Sequence, residues 1–136
     1  MKSERQRAID RADQWFSRYI RLKYSSNGVC ICYTTGKPKP IILIECGHFI
    51  SRGKFPTRWD ERNARPQSTY ANKWKGGMHY EFRQRLIADL GLEEVENLER
   101  LANSTIKYTT EEIRKIAKEY REKANEEAKT KGKFWE

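Results

Sequence analysis

The longest uninterrupted aliphatic run in this chain of 136 residues is Ile41-Ile42-Leu43-Ile44, no more than a strand's length. A membrane span needs about 18 such residues, so none is expected and the membrane is excluded as a partner. Hydrophobic residues make up 37% of the chain, against a usual ~45–50%. The core must therefore be thin and gathered from several short segments, and its length suits one compact domain over residues 1–136. Met1 to Arg7 lacks the apolar stretch of a secretory signal, and the 3 cysteines cannot pair fully. Both point to the reducing cytoplasm.

Charge is distributed unevenly. Residues 1–79 carry 16 basic and 6 acidic side chains, a balance of +10, whereas residues 80–136 carry 12 and 13, a balance of −1. Trp15, Trp59 and Trp74 accompany the basic half. A localised basic field attracts polyanions, and nucleic acid is the commonest of them. A basic surface with no partner is the plain alternative.

Periodicity places the elements. Ser3 with Gln6 forms a capping-box pattern, and Ile9, Ala12, Trp15/Phe16 and Tyr19/Ile20 recur at helical spacing. This predicts an N-terminal helix within residues 1–28, stopped by Asn27-Gly28, which tolerate positive φ. Val29 to Tyr33 and Ile41 to Glu45 flank the turn-rich Thr34–Pro38 segment and predict a hairpin. Gly47 to Lys75 is irregular, and a long irregular segment in a small domain usually carries function. Helical stripes return from Tyr80: Phe82, Leu86/Ile87 and Leu90, then Leu92, Val95, Leu98 and Leu101. Thr109 with Glu112 starts a last helix, whose Ile113, Ile116, Ala117, Tyr120 and Ala124 would pack on this chain or on a second subunit. Its charged face, with interspersed signs, reads as solvated, and Lys129 to Glu136 as frayed.

The irregular segment contains three informative strings. They are Glu45-Cys46-Gly47-His48-Phe49-Ile50-Ser51-Arg52, then Arg58-Trp59-Asp60-Glu61-Arg62-Asn63-Ala64-Arg65-Pro66-Gln67, then Tyr70-Ala71-Asn72-Lys73-Trp74. A His at the end of a hairpin, an Asn in the following loop and a second Asn near a helix start resemble the HNH (ββα-metal) nuclease motif. The strings are more closely similar to the phage NinG/Rap recombination endonuclease family. The likeness runs from about Trp15 to Leu90 and continues weakly through the last helix. It implies an α+β fold: an N-terminal helix, a ββα-metal core over 29–79 and a C-terminal helical extension over 80–136.

The resemblance also implies roles. Phosphodiester hydrolysis needs a water deprotonated near neutral pH, and His has the pKa for it, so His48 would be the general base. Asn63 would tie the loop back and orient His48. Asn72 would be a ligand of one divalent ion, Mg²⁺ or Mn²⁺, because its amide oxygen is a hard donor. Arg52, Lys54, Arg58, Arg62, Arg65 and Lys73 would contact DNA phosphates. Many HNH enzymes carry an Asp before the base; here it is Gly47, and Glu45, Asp60 and His79 are candidates for the second ligand. Relatives also hold a structural zinc with two Cys-x-x-Cys pairs. The matching positions are Cys32, Thr35, Ser68 and Ala71, so the zinc is predicted absent, with Trp59, Trp74 and Phe55 packing in its place.

Other readings stay open. Cys30, Cys32, Cys46 and His48 could form a Cys₃His zinc site, although one-residue spacers strain it. Asn72 could be a helix cap, and Asn63 a turn residue. The expected function is a metal-dependent DNA endonuclease of phage recombination, acting in the host cytoplasm on branched or junction DNA, with a homodimer suited to symmetric junctions. The alternatives are a DNA-binding module with a decayed centre, an HNH enzyme of restriction or packaging, and an RNA-binding structural protein.

Overall fold

The computed structural model describes residues 1–135, so the terminal Glu136 of the segment expected to fray lies outside it. The molecule is α+β. Helix α1 (Glu4–Lys23) starts on Ser3, whose side chain accepts from the Gln6 amide. The Gln6 side chain turns to Asp10 instead of back to the cap, so only half of the capping box forms. The helix ends at Lys23, ahead of the predicted stop. Asn27 and Gly28, at φ 52° and 76°, instead form the turn between β1 (Ser25–Ser26) and β2 (Val29–Ile31). Two consecutive positive φ values match the right-handed twist of a tight hairpin.

Strand β2 pairs with β3 (Pro38–Pro40), making a small antiparallel sheet in the order β1-β2-β3. The predicted hairpin is thereby corrected, because Ile41–Leu43 coils into a short 3-10 turn and does not pair with β2. Strand β4 (Ile44–His48) joins β5 (Ala64–Ser68) in a separate antiparallel ribbon, with Ile44 opposite Ser68 and His48 opposite Ala64. Between them run α2 (Phe55–Arg58) and a 3-10 turn over Glu61–Asn63. A five-residue helical turn of wide pitch, Tyr70–Trp74, follows β5.

The C-terminal half is helical, with α3 (His79–Leu90), α4 (Leu92–Ala102) and α5 (Thr110–Lys131). Thr109 and Glu112 cap α5 reciprocally. The predicted apolar stripes are the ones that bury. Phe82, Leu86, Val95 and Leu98 enclose Phe49, so α3 and α4 form a shelf beneath the ribbon. Ile113, Ala117 and Tyr120 pack on Ala8, Ile9, Ala12, Phe16 and Ile20 of α1 together with Trp59 and Ala64. The stripe on α5 is therefore spent within this chain. Burial of each large side chain contributes roughly 1.5–3 kcal/mol.

Residues 129–135 are not frayed. Lys131 donates to the carbonyls of Leu22 and Lys23 at the end of α1, and Trp135 is buried edge-on to Trp15. No helix among the described residues is long and apolar enough to cross a membrane.

Candidate functional site

The β4–β5 ribbon lies against α1, and an open cleft of about 440 Å³ runs between them. Its lining includes His48 and Glu45 from β4, Asn72 and Lys73 from the wide turn, and Asp13, Ser17 and Arg21 from α1. Residues separated by up to 60 positions in sequence thus meet along the length of β4.

His48 is held in one tautomer. Its Nε2 lies 3.0 Å from the Arg58 carbonyl oxygen. A carbonyl only accepts, so Nε2 carries the proton and the lone pair sits on Nδ1. Nδ1 has no protein partner among the described residues and is not sealed from solvent. Burial pushes the imidazole pKa down to about 4, with the Arg52 and Arg58 cations adding to the effect. The ring is neutral at pH 7.

The Arg58 carbonyl is itself anchored. The Arg58 guanidinium donates to both oxygens of Asp13, at 3.0 and 2.6 Å, and to the Arg52 carbonyl at 2.8 Å. Trp59 Nε1 donates to the same carboxylate at 2.9 Å. Asn63 is fully buried and staples the loop. Its Oδ1 accepts from the Ile50 amide at 2.8 Å, and its Nδ2 donates to the carbonyls of Ile50 and Thr57 at 3.0 and 3.1 Å. Three backbone groups satisfied by one side chain fix the path from β4 through α2, and with it the carbonyl that holds His48.

Across the cleft, Asn72 Nδ2 donates to Glu45 at 2.8 Å, Thr69 donates to the other oxygen at 2.9 Å, and Lys73 pairs with it at 3.4 Å. Burial works against ionisation of Glu45, but the hydrogen bonds from Asn72, Thr69 and Lys73 outweigh it, so the carboxylate stays charged. The other candidates for a second metal ligand lie elsewhere. Asp60 is engaged by Arg62 at 2.7 Å, and His79 stacks on Phe49 with its Nδ1 3.3 Å from the Phe49 carbonyl. No cluster of three or more His, Cys, Asp or Glu side chains able to hold a metal occurs among the described residues. The Asp13 carboxylate of the cleft is taken up by Arg58 and Trp59, and its other hard donors across from His48 are the Glu45 carboxylate and the Asn72 amide oxygen. Such a pair suits an ion like Mg²⁺, which keeps several waters and takes one or two protein ligands plus substrate phosphates.

Gly47 can bear no side chain here, because a Cβ would overlap Oε1 of the buried Gln67. An Asp in its place would have to displace the Gln67 side chain.

The predicted DNA contacts divide. Arg52 and Lys73 line the cleft with their side chains 58% and 68% exposed, and Lys54 is exposed beside it. Arg58 is committed to Asp13. Arg62 is committed to Asp60 and Glu94. Arg65 is only 5% exposed, donates to the carbonyls of Glu61 and Ala64, and lies over the rings of Tyr24 and Tyr33. These three guanidiniums brace the loop and the ribbon. Arg21 is the cation that sequence reading missed. It is half-buried in the cleft with no ion-pair partner among the described residues, and burial lowers its pKa. Nothing in its local sequence sets it apart from the other arginines of α1.

The four positions matched to the relatives' zinc ligands also meet, at the far end of the ribbon. Cys32 Sγ lies 3.6 Å from Ser68 Oγ and accepts from the Ser68 amide at 3.2 Å, and Ser68 Oγ accepts from the Ala71 amide at 3.1 Å. Burial raises the Cys32 pKa, but hydrogen bonds from Ser68 and Thr35 overcome it and bring the thiol down to about 6. The packing expected of the three aromatics is corrected. Trp74 is 78% exposed, whereas Trp59 and Phe55 pack on each other near α1 and α5. Cys46 lines the cleft and Cys30 packs in the apolar cluster under β2; burial pushes their pKa values up to about 12 and about 11, so both stay thiols.

Comparison with curated proteins and with solved structures gives no match. The family described as Bacteriophage Lambda NinG protein matches residues 1–130, nearly the whole chain, and this protein belongs to that family.

Proposed function

We propose that this protein is a metal-dependent HNH endonuclease that hydrolyses DNA phosphodiester bonds in phage recombination, with branched or junction DNA as its preferred substrate. The observation that carries the reading is the fixed His48 tautomer, a neutral imidazole whose free Nδ1 shares a cleft with Glu45, Asn72, Arg21 and Lys73. Membership of a recombination-related phage family supports the biological setting.

In this reading Arg21, Arg52 and Lys73 hold the phosphate in the cleft, and Lys54 extends the contact along the backbone. His48 Nδ1 takes a proton from a water as its oxygen attacks phosphorus, the bond to the leaving oxygen breaks, that oxygen takes up a proton from solvent to leave as an alcohol, and the imidazolium later returns its own proton to solvent. Arg58, Asp13 and Asn63 are positioning residues, acting through the carbonyl that keeps Nε2 protonated. Glu45 and Asn72 would hold the divalent ion, which when bound neutralises charge on the phosphate and on the leaving oxygen.

The replaced thiols favour a second reading, a DNA-binding module that no longer cuts. A nicking assay on linear duplex, four-way junction and single-stranded DNA with Mg²⁺, Mn²⁺ or EDTA separates the two. The endonuclease reading expects metal-dependent nicking, strongest on the junction; tight binding with no product under any metal would overturn it.

A further inference from the structure

The cleft uses one side of α1, through Asp13, Ser17 and Arg21. Another side of that helix, with α5, walls a separate groove of about 780 Å³. Arg7 and Arg11 line it from α1; Arg114, Lys118 and Arg121 line it from α5. The half-buried Trp15 is also part of the lining. Glu4, its single carboxylate, is paired with Arg114 at 3.4 Å. Arg7, Arg11, Lys118 and Arg121 are exposed and have no ion-pair partner among the described residues.

Two rows of like charge set face to face repel each other and weaken the α1–α5 contact, the main packing between the two ends of the chain. A polyanion laid between the rows removes that repulsion. Arg114 to Arg121 covers about 10 Å of helix axis at 1.5 Å per residue. That matches three steps between successive phosphates of one B-DNA strand, at about 3.4 Å each along the axis. Around α1 the cleft residues and the groove residues lie roughly 120° apart at 3.6 residues per turn. A DNA that reaches both sites must bend or branch around the helix.

We propose that the α1–α5 groove binds the phosphodiester backbone of a second DNA segment, separate from the strand in the His48 cleft. The identity of that polyanion as DNA rests on the endonuclease reading above; the groove itself does not depend on cleavage. The test is fluorescence anisotropy in EDTA, over a series of salt concentrations, comparing wild type with the Arg11→Gln, Lys118→Gln, Arg121→Gln triple variant. The probes are a four-way junction, a linear duplex of the same arm sequence and a duplex RNA.

For the junction, the variant should bind at least 10-fold more weakly, with a log–log salt slope shallower by about 2–3, near 0.9 for each lost phosphate contact. The linear duplex should change much less, and thermal melting should be no lower than wild type, since the variant relieves the repulsion between the rows. A junction affinity and slope within twofold of wild type would overturn the proposal. So would an equal loss on the linear duplex, or a loss confined to RNA. Cleavage is read separately in Mg²⁺: wild type that binds DNA but never cuts sinks the endonuclease reading and leaves the groove standing on its salt slope.

Discussion

The two ends of the β4–β5 ribbon have opposite solutions to the same problem, how to hold a perturbed side chain in place. At one end His48 is neutral because burial strips water from its cation, and a single carbonyl fixes its proton on Nε2. At the other end Cys32 is driven toward the thiolate because amide and hydroxyl donors from Ser68 and Thr35 surround it. The first arrangement leaves an atom free to react. The second consumes the sulfur's bonding capacity in tying β2 to β5 and the wide turn. Hydrogen bonds thus do at the Cys32 end what metal–sulfur bonds would do in a chain with four thiols there, and the His48 end keeps a ring nitrogen without a protein partner.

The largest effect at the His48 end is expected from Asn63→Ala. It strands the Ile50 amide and the Ile50 and Thr57 carbonyls in the interior, at roughly 1–3 kcal/mol each. Urea unfolding should show a loss of about 3 kcal/mol or more, and nicking should fall with it as the Arg58 carbonyl shifts. A loss under about 1 kcal/mol would mean that the loop is braced by other contacts.

Next comes pH. His48 titrates near 4 when folded and near 6.5 when unfolded, so the unfolded chain binds the extra proton between those values. Its contribution to stability is complete above about 6.5 and is lost as pH falls toward 4. Thermal melting from pH 8 to pH 4 should therefore show a decline through that window that is absent in His48→Gln. Nicking should not lose its base until near pH 4; a rate falling tenfold per unit from pH 6.5 downward would place His48 at its ordinary pKa.

The smallest effect on the cleft, and the sharpest on the Cys32 end, comes from Thr35→Cys, Ser68→Cys and Ala71→Cys together. Four thiols would then meet where one does now. Elemental analysis should find one zinc per chain in this variant and none in stoichiometric amount in wild type, with nicking unchanged. Stoichiometric zinc in wild type would show that Cys32 recruits other ligands.

Much of this architecture can be read from the residue pattern. The stripes of α3, α4 and α5 repeat at helical spacing, and the His48, Asn63 and Asn72 strings stand out by their likeness to a known family. The strands were harder to see. Pro38-Lys39-Pro40 and Ala64-Arg65-Pro66-Gln67-Ser68 contain few strand formers, and β5 is a strand because its five side chains are buried between neighbours, not because of propensity. The fate of the arginines was equally hidden. Arg58 finds Asp13 from 45 positions away, Arg62 finds Glu94 from 32, and Arg21 finds no ion-pair partner at all among the described residues. Only the three-dimensional fold sorts structural cations from available ones.

The proposed role of His48 is tested most directly by His48→Ala, measured by nicking of supercoiled DNA in Mg²⁺ or Mn²⁺ alongside binding in EDTA. Loss of a positioned general base should slow nicking by about 10²–10⁴-fold, while the affinity for DNA stays within a few-fold of wild type. A variant that cuts as fast as wild type would contradict the assignment of His48 as the base.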